Sequence, residues 1–534
     1  MRPRRPRTLA VVAAAAAFLA LASSSAPAAD TTPGALRECH IAGFRNGVLC
    51  GSVQRPLDPA NSGRGSIEIH YVVVPALARR KLPDPVFFLA GGPGQSAITL
   101  APQVMALFSR LNNRRDIVFV DQRGTGKSAP LTCKDPEDET LAEQAEAERQ
   151  LRLIAQCKAA LLKQPWLKTE SDLGFFTTTI AVQDLDAVRR RLGAARVDLI
   201  GGSYGTRVAL EMLRQFPQTV RRTVIDGVAP ADMALPASFS TDNQAAFDRL
   251  VESCVDEPAC AKAHPDLRAR FTSLLAGLPR QVKAQHPLTG VEEQFTLTRE
   301  LVLDAVRGTL YAPALAAALP EAIEAASRGD YAGLVGLSAT LGSGKAMRLA
   351  TGMHLSVVCA EDLPRLAATA DKPGSDFGSV FAGRYEKLCS AWPRGAVPAA
   401  FYSLPASPSA TLVLSGGLDP VTPPRHGERV AKALGALARH VVVANAGHGV
   451  MAIGCMRDVV FRFVDAASDA DALAVDAGCA AKVPRPPAFV SLRSALAKAS
   501  QPPRVAEPAR AAEPERSAQP ASAPVPTAAS EPPR

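Results

Sequence analysis

A serine between two glycines stands where a predicted strand passes into a predicted helix. The run GGSYG covers residues 201–205, after the apolar stretch 197–200 and before a helical pattern that starts at Thr206. Small neighbours let the strand and the helix approach closely, so the Ser203 hydroxyl is exposed at the helix N-terminus. This pattern is typical of a nucleophile elbow, a strained turn that presents an attacking serine. Ser203 is therefore the predicted nucleophile, although the motif also occurs in structural Gly-Ser turns.

An aspartate and a histidine follow Ser203 in the chain order that such a nucleophile requires. The histidine removes the serine proton, and the aspartate orients the histidine. Asp419 lies in the turn 416–420 after one apolar strand, and His448 lies in the loop 445–449 after the next. The sequence thus predicts a catalytic triad of Ser203, Asp419 and His448.

Three other residues compete for these roles. His426 lies on a predicted helix and His440 precedes its strand, so both are poorer candidates for the base than His448. Asp226, which follows another predicted strand, is the one serious alternative acid. The alternative without a catalytic role is that Asp419 and His448 are an unrelated turn aspartate and a solvated loop histidine.

Acyl transfer also needs backbone N–H groups that stabilise the oxyanion of the tetrahedral intermediate. One donor comes from the residue after the nucleophile, which is Tyr204. A second comes from a loop after an early strand, and the run GGPG at 91–94 follows the apolar stretch 85–90. The glycines let the main chain approach the substrate, Pro93, which lacks an N–H, stiffens the loop, and Gly92 is the predicted donor. An ordinary glycine-proline turn is the alternative reading of this loop.

These motifs together resemble one enzyme family. GGPG at 91–94, DQRGTGKS at 121–128, GGSYGT at 201–206, the pair Asp226-Gly227, and the predicted acid and base are similar to α/β-hydrolases of the proline iminopeptidase and tripeptidyl aminopeptidase type. The tripeptidyl branch carries a long insert and a disulfide-bearing C-terminal segment. The likeness covers roughly residues 37–490. It implies a serine exopeptidase that removes residues from peptide amino termini, whereas spacing alone indicates a serine hydrolase.

Two departures from the family pattern bear on selectivity. Many iminopeptidases have a histidine before GGPG and a tryptophan after the serine, where this chain has Ala90 and Tyr204. The resemblance therefore implies the reaction class without strict proline selectivity.

An aminopeptidase must recognise a free ammonium group. In a partly desolvated pocket this requires a nearby carboxylate, because an unpaired buried charge is very unfavourable. In the resembling family an acidic residue near the cap binds the substrate amine. Glu361 is the matching position here, with Asp362 as the alternate. A solvated helix face or a helix cap is the alternative role of these two acids.

The loop 121–128 has a second possible reading. Its GKS ending suggests a phosphate-binding loop, but that motif needs a glycine where Asp121 stands. We expect instead that Asp121 and Arg123 form a charge pair that braces the loop beneath the active site. No cofactor is expected.

The N-terminus predicts export. Arginines precede an apolar run from Leu9 to Ala22, and the cleavage signal Ala-Pro-Ala ends at Ala28, so residues 1–28 read as a signal peptide. The apolar run is too short to span a membrane, and no other stretch is long enough. Cleavage would remove four arginines and no acid, so the formal charge would fall from +9 to +5. This mild charge, without a basic stripe among aromatic residues, gives no argument for nucleic-acid binding.

Ten cysteines suit an oxidising compartment, either the periplasm or the exterior. Sequence cannot fix their connectivity. Neighbouring cysteines would close short loops, which gives five hypothetical bridges: Cys39 with Cys50, Cys133 with Cys157, Cys254 with Cys260, Cys359 with Cys389, and Cys455 with Cys479. The spacing of metal-binding cysteines is absent, so we expect no metal. The cysteines also lack a histidine partner that would make them nucleophiles.

Short apolar segments alternate with helical stretches along the chain. The predicted strands are 67–74, 86–90, 117–120, 197–200, 223–225, 411–415 and 441–444. Such strands are typical of a parallel sheet with helices on both faces and so predict an α/β fold, which the resemblance implies is the α/β-hydrolase fold. The 534 residues, 47% of them hydrophobic, can bury a sizeable core.

Helical periodicity dominates between about 230 and 400, as in Leu267, Phe271, Leu274, Leu275 and Leu278. We expect residues 37–229 and 401–495 to form the core and residues 230–400 to form a helical cap over the carboxyl ends of the strands. Residues 496–534 are rich in Ala, Pro, Ser, Glu and Arg and are predicted to be a disordered tail.

The sequence therefore favours a periplasmic or secreted serine aminopeptidase. Its partners would be peptides with a free amino terminus, without nucleic acid and without a membrane segment after signal cleavage. A carboxylesterase with the same triad is the first alternative, because a triad does not choose between ester and amide. A catalytically dead hydrolase fold that acts as a binding module is the second.

Overall fold

The computed structural model describes residues 36–134, 139–339 and 348–491. Nine strands form one sheet in the order β1-β2-β3-β5-β4-β6-β7-β10-β11, and β8 pairs with β9 separately. The strands are β1 Arg37–Cys39, β2 Val48–Pro56, β3 Ser66–Val74, β4 Val86–Leu89, β5 Ile117–Val120, β6 Val197–Gly202, β7 Val220–Asp226, β8 Arg280–Gln285, β9 Glu292–Leu297, β10 Ala410–Gly416 and β11 Ala438–Val443.

The large sheet is parallel from β5 to β11 and antiparallel from β1 to β5. Its central strands are apolar and buried on both faces, because side chains alternate between two apolar clusters. Phe87 packs on one face and Phe88 on the other. The predicted α/β class with a mostly parallel, doubly covered sheet is confirmed.

Seventeen α-helices lie within the described residues. They are α1 Ala97–Asn112, α2 Leu141–Gln144, α3 Ala147–Leu161, α4 Thr178–Arg191, α5 Tyr204–Gln215, α6 Leu235–Asp256, α7 Pro258–Ala263, α8 Leu267–Ala276, α9 Arg299–Leu310, α10 Pro313–Ala316, α11 Leu319–Ser327, α12 Ala332–Ala339, α13 Thr351–Val357, α14 Val380–Ser390, α15 Pro424–Leu434, α16 Met456–Asp465 and α17 Asp469–Leu473. Helices α4, α5 and α15 contribute to one apolar face of the sheet, and α1 and α16 contribute to the other.

Helices α6 to α14 and the β8–β9 hairpin fall within the range predicted for the cap. Most of these elements share an apolar cluster of their own, which includes Phe271, Leu274 and Leu275. A separate cluster is what an independent layer needs, since its helices bury their apolar faces against one another. The division at residues 230 and 400 remains a prediction.

Two parts of the sheet architecture were not predicted. Strand β2 has intermediate exposure along most of its length, so its sequence VLCGSVQRP lacks the apolar run of a central strand. The hairpin strand β8, RQVKAQ, alternates exposed and buried positions, but its polar side chains hide the pattern. The helical periodicity that dominates between about 230 and 400 therefore gave no indication of this hairpin.

All ten cysteines form the five predicted neighbouring pairs, with sequence separations from 6 to 30. The predicted signal peptide 1–28 and the whole predicted tail 496–534 lie outside the described residues. Within the part of the chain that is described, no helix combines the length and the apolar character of a membrane span.

Candidate active site

Ser203 occupies a strained turn between β6 and α5. Its φ of 54° and ψ of −125° lie in a region that non-glycine residues rarely adopt, and its N–H donates to the Asp226 carbonyl at 2.8 Å. A side chain at Gly205 would overlap the carbonyl oxygen of Leu89, and one at Gly201 would overlap that of Gly205. The glycines of the motif are therefore required by close backbone packing, as an elbow demands.

Asp419 and His448 meet at the carboxyl ends of neighbouring strands β10 and β11. The Nδ1 atom of His448 lies 2.8 Å from Asp419 Oδ2. Asp419 also accepts hydrogen bonds from the N–H groups of Val421 and Thr422, both at 2.9 Å, and from the Thr422 hydroxyl at 2.8 Å. The carboxylate is fully buried, whereas the His448 side chain keeps 16% exposure. The contact with Asp419 favours the tautomer of His448 in which Nδ1 carries the proton and donates it to the carboxylate. Nε2 is then left for another partner.

Charge coupling shifts both pKa values in the direction expected for an acid–base pair. Burial alone lowers the pKa of His448, but the carboxylate of Asp419 outweighs burial and raises that pKa above its ordinary value. Burial raises the pKa of Asp419, but His448 and the neighbouring N–H groups hold it below its ordinary range. Asp419 therefore stays ionised and favours the imidazolium form of His448.

The loop after β7 connects Ser203 with His448. The Asp226 carbonyl binds the N–H of Ser203, and the next residue, Gly227, lies against the imidazole. A side chain on Gly227 would come within 3.2 Å of His448 Cε1. Tyr311 contacts the other side, because its carbonyl accepts the His448 N–H at 3.0 Å and its ring lies edge-on at 5.1 Å. The loop after β7 thus contacts both Ser203 and His448, and His448 in turn contacts Asp419.

The alternative acid and bases have other partners. The carboxylate of Asp226 accepts the N–H groups of Val450 and Met451, both at 2.8 Å, and so holds the loop that follows His448. Burial raises the pKa of Asp226 to about 6. The two alternative bases are also bound elsewhere. His426 Nε2 lies 2.8 Å from Asp242 Oδ2, and His440 Nε2 lies 3.0 Å from Ser415 Oγ.

The two candidate oxyanion donors lie next to Ser203. Tyr204 is the first residue of α5, so its N–H has no partner within the helix. Gly92 has a φ of 111°, and a side chain there would meet the Gly94 nitrogen at 2.7 Å. A side chain on the preceding Gly91 would lie 3.2 Å from Ser203 Cβ. The loop 91–94 therefore touches the elbow, as a second oxyanion donor requires.

Glu361 and Asp362 do not form the expected substrate-amine site. Both carboxylates are fully buried against the equally buried guanidinium of Arg207 on α5. Arg207 binds both oxygens of Asp362, at 2.9 and 3.0 Å, and Glu361 Oε2 at 3.3 Å. The Thr178 N–H donates to Glu361 Oε1 at 2.6 Å, and the Leu235 N–H donates to Asp362 at 3.1 Å. Both acids are fully buried and already paired with Arg207, so the expectation of a substrate-amine site is corrected, and so is that of a solvated helix face.

This buried cluster also contacts the residue after the nucleophile. The Thr178 hydroxyl lies 3.0 Å from Glu361 Oε2 and 2.6 Å from the Tyr204 hydroxyl. Gln122 donates to the same tyrosine hydroxyl at 2.9 Å. Burial raises the pKa of Glu361 to about 7 despite Arg207. The cluster therefore holds α5 through the side chains of Tyr204 and Arg207.

Asp121 and Arg123 bind separate partners rather than each other. Asp121 accepts hydrogen bonds from the Ser96 hydroxyl at 2.6 Å and from the N–H of Lys127 at 3.2 Å. Arg123 is fully buried and binds both oxygens of Asp184, at 2.7 and 2.9 Å. The predicted charge pair is therefore wrong, although both residues still brace the loop. Within the described residues, no group of three or more His, Cys, Asp or Glu side chains could hold a metal ion.

Sequence reasoning missed two cap residues near the site. Tyr311 lies against His448, and His354 contacts the Pro93 carbonyl at 3.1 Å. Neither residue belongs to a motif, and each reaches the site only through the packing of the cap. No sequence signal could have found them without the fold.

The comparisons with known proteins agree with this geometry. A family model described as the alpha/beta hydrolase fold matches residues 84–453. A tripeptidyl aminopeptidase of Streptomyces lividans is 27% identical over 46% of this chain and 48% of its own length. The serine protease Hip1 of Mycobacterium bovis is 27% identical over 40% of this chain and 43% of its own length. The matched stretch thus spans about half of these relatives.

The chain is also similar to one further relative and to one solved structure. A carboxylesterase B of Mycobacterium tuberculosis is 27% identical over 72% of this chain and 78% of its own length. Among solved structures, a proline iminopeptidase of Mycobacterium smegmatis aligns with 80% of this chain and all of its own chain, at 16% identity and a TM-score of 0.33.

Proposed function

The chain belongs to the α/β-hydrolase family, and we propose that it is an exported serine hydrolase that releases residues or short peptides from peptide amino termini. One observation carries the hydrolase assignment. The imidazole of His448, oriented by Asp419 at 2.8 Å, lies against Gly227, and the neighbouring Asp226 carbonyl binds the N–H of the strained Ser203 turn. This is the arrangement that makes a serine hydroxyl nucleophilic.

Each triad residue has one role in the proposed mechanism. Ser203 Oγ attacks the substrate carbonyl while His448 Nε2 takes the hydroxyl proton. The proton then passes from Nε2 to the leaving group, which departs and leaves an acyl-enzyme. Water attacks this ester with His448 again as the base, and Ser203 regains its proton. Asp419 stays ionised throughout and stabilises the imidazolium.

The oxyanion of each tetrahedral intermediate would accept hydrogen bonds from the N–H groups of Gly92 and Tyr204. Such donors act strongly because they are fixed before the charge develops. Tyr204 is fixed by the helix that it starts and by its buried hydroxyl, while Gly92 is fixed by the tight loop 91–94.

The preference for peptides rests on the relatives. Tripeptidyl aminopeptidases and the serine protease Hip1 are among the proteins that this chain resembles. Export is supported by the five disulfides, since such bonds persist in oxidising compartments. A carboxylesterase is the second candidate, favoured by the longer alignment with carboxylesterase B.

A substrate panel separates the two candidates. Chromogenic peptides with free amino termini, the same peptides with acetylated termini, and short esters would be compared by kcat/KM. An aminopeptidase should prefer the free termini at least tenfold, which corresponds to about 1.4 kcal/mol. Equal rates on free and acetylated peptides, with faster ester cleavage, would favour the esterase.

A further inference from the structure

The cap contacts the proposed oxyanion loop through one turn of helix. Ala350, which precedes α13, donates its N–H to the Gly94 carbonyl at 2.9 Å. One turn later, His354 places Nδ1 3.1 Å from the Pro93 carbonyl. Two consecutive carbonyls of the loop 91–94 are therefore bound by the cap.

Close packing accompanies these hydrogen bonds. A side chain on Gly94 would meet the Ala350 carbonyl oxygen at 3.0 Å, and one on Gly92 would meet Leu349 Cδ2 at 3.2 Å. Within the loop, the N–H of Gln95 bonds to the Gly91 carbonyl only at the long distance of 3.3 Å. The cap thus makes the shorter hydrogen bonds to this loop.

The hydrogen-bond partners of His354 select one form of its ring. A carbonyl oxygen can only accept, so Nδ1 must carry the proton that is donated to Pro93. The Tyr385 hydroxyl lies 2.7 Å from Nε2 and donates to it when the ring is neutral. Burial raises the pKa of Tyr385 to about 12, so this hydroxyl keeps its proton.

The charged groups around His354 are consistent with the neutral form. Burial lowers the pKa of His354 and outweighs the hydrogen bond to the Pro93 carbonyl, which raises it, and the positive charge of Arg307 on α9 lowers it further. Asp362 raises it, but this carboxylate is already bound by Arg207. A neutral ring with Nδ1–H bound to Pro93 and Nε2 bound to Tyr385 satisfies both contacts.

We propose that His354 is a positioning residue, which holds the Pro93 carbonyl and so fixes the conformation of the tight loop 91–94, in which the N–H of Gly92, two peptide planes away, is directed at the oxyanion. The inference rests on the proposed function, because it needs an oxyanion to form at Ser203. It adds that oxyanion stabilisation depends on a cap residue, so that cap and core must be docked for full turnover. His354 itself touches neither substrate nor the reacting atoms.

Three substitutions test this role. His354→Asn keeps an N–H close to the position of Nδ1, His354→Gln moves the N–H toward the position of Nε2, and His354→Ala removes both. We expect kcat to fall at least tenfold in the Ala and Gln variants with KM within about threefold of the wild type, because a misplaced donor weakens the transition state alone. The Asn variant should keep more than half of the wild-type kcat.

The comparison of kcat between His354→Asn and His354→Gln tests the positioning role of His354 even if His354→Ala does not fold. Equal loss in the Asn and Gln variants, or a kcat within twofold of the wild type in both, would overturn the inference. Fluorophosphonate labelling of the wild type separates this failure from that of the proposed function. A wild type that is labelled and active, with unaffected variants, refutes only the role of His354. A wild type without label or hydrolysis refutes the proposed function and with it this inference.

Discussion

At the scale of single residues, the proposed chemistry depends on how Asp419 controls His448. The acid accepts two backbone N–H groups and one hydroxyl besides the imidazole, so it stays ionised although it is buried. A buried carboxylate satisfied in this way both orients the ring and raises its pKa. The carboxylate of the alternative acid, Asp226, accepts backbone N–H groups from the loop that follows His448, so Asp226 is a poorer candidate for the acid of the triad.

Asp419→Asn tests this pairing through the pH profile. His448 must be neutral to act as a base, so kcat/KM should rise with pH through the pKa of His448, which lies above its ordinary 6.5. The variant loses the charge that raises this pKa and keeps the burial that lowers it, so the rise should move to lower pH. The plateau should fall about 10⁴-fold, as the ring loses its favoured tautomer.

Asp226→Asn is the matched control for this experiment. It removes a nearby charge but keeps an acceptor oxygen for the loop N–H groups, so its plateau should fall far less. A larger fall in Asp226→Asn than in Asp419→Asn would show that the acid has been assigned to the wrong residue.

At the scale of elements, the β6–α5 turn and the cap segment 358–362 fix the geometry of the site. The turn needs Gly201 and Gly205 because strand and helix backbones come into contact there. The cap segment binds α5 because its carboxylates, Glu361 and Asp362, pair with Arg207. Sequence motifs predicted the first of these elements, since the glycine spacing is local. They misassigned the second, since its partner lies about 150 residues earlier in the chain.

Gly205→Ala tests the steric requirement of the turn. Its new methyl group would overlap the Leu89 carbonyl, so the free energy of unfolding should fall by about 1–3 kcal/mol. Gly202→Ala is the matched control, because no heavy atom lies within 4 Å of the added group. Urea unfolding of both variants measures the difference. Equal stability of the two would contradict the close approach of β4 to α5.

Glu361→Gln tests the corrected role of the buried acids. The carboxylate contacts Arg207 and Thr178 and no solvent, so its effect must pass through the position of α5. We therefore expect turnover of esters and of free-amine peptides to fall by the same factor, measured as kcat/KM on both. A loss confined to the free-amine peptides would restore the assignment of Glu361 as the amine-binding residue.

At the scale of the whole molecule, the five disulfides close short loops in different parts of the chain. One joins β1 to β2, one joins Cys133 to α3, two lie within residues 230–400, and one joins Cys455 to Cys479. The sequence predicted the five cysteine pairs and the buried central strands of the sheet, because these depend on neighbouring residues and on local apolar runs. It could not predict the partners of Arg123 and Arg207 or the contact of His354 with Pro93. Those contacts join segments that are distant in sequence and meet only through tertiary packing.

The loop lengths predict how much each disulfide stabilises the fold. In the chain-entropy account a longer loop gives more stabilisation, so removing Cys359–Cys389, with separation 30, should destabilise more than removing Cys254–Cys260, with separation 6. The expected difference is about 1.4 kcal/mol. Paired cysteine-to-alanine variants compared by urea unfolding measure it, and the reverse order would contradict the prediction.

The central claim is that Ser203 is the nucleophile, and one labelling measurement tests it most directly. The wild type and Ser203→Ala, both checked for folding by thermal melting, would be treated with a fluorophosphonate and analysed by peptide mass spectrometry. The account predicts one adduct, on Ser203, in the wild type and none in the variant. An adduct on another residue, or the same adduct mass in the folded Ser203→Ala protein, would contradict it.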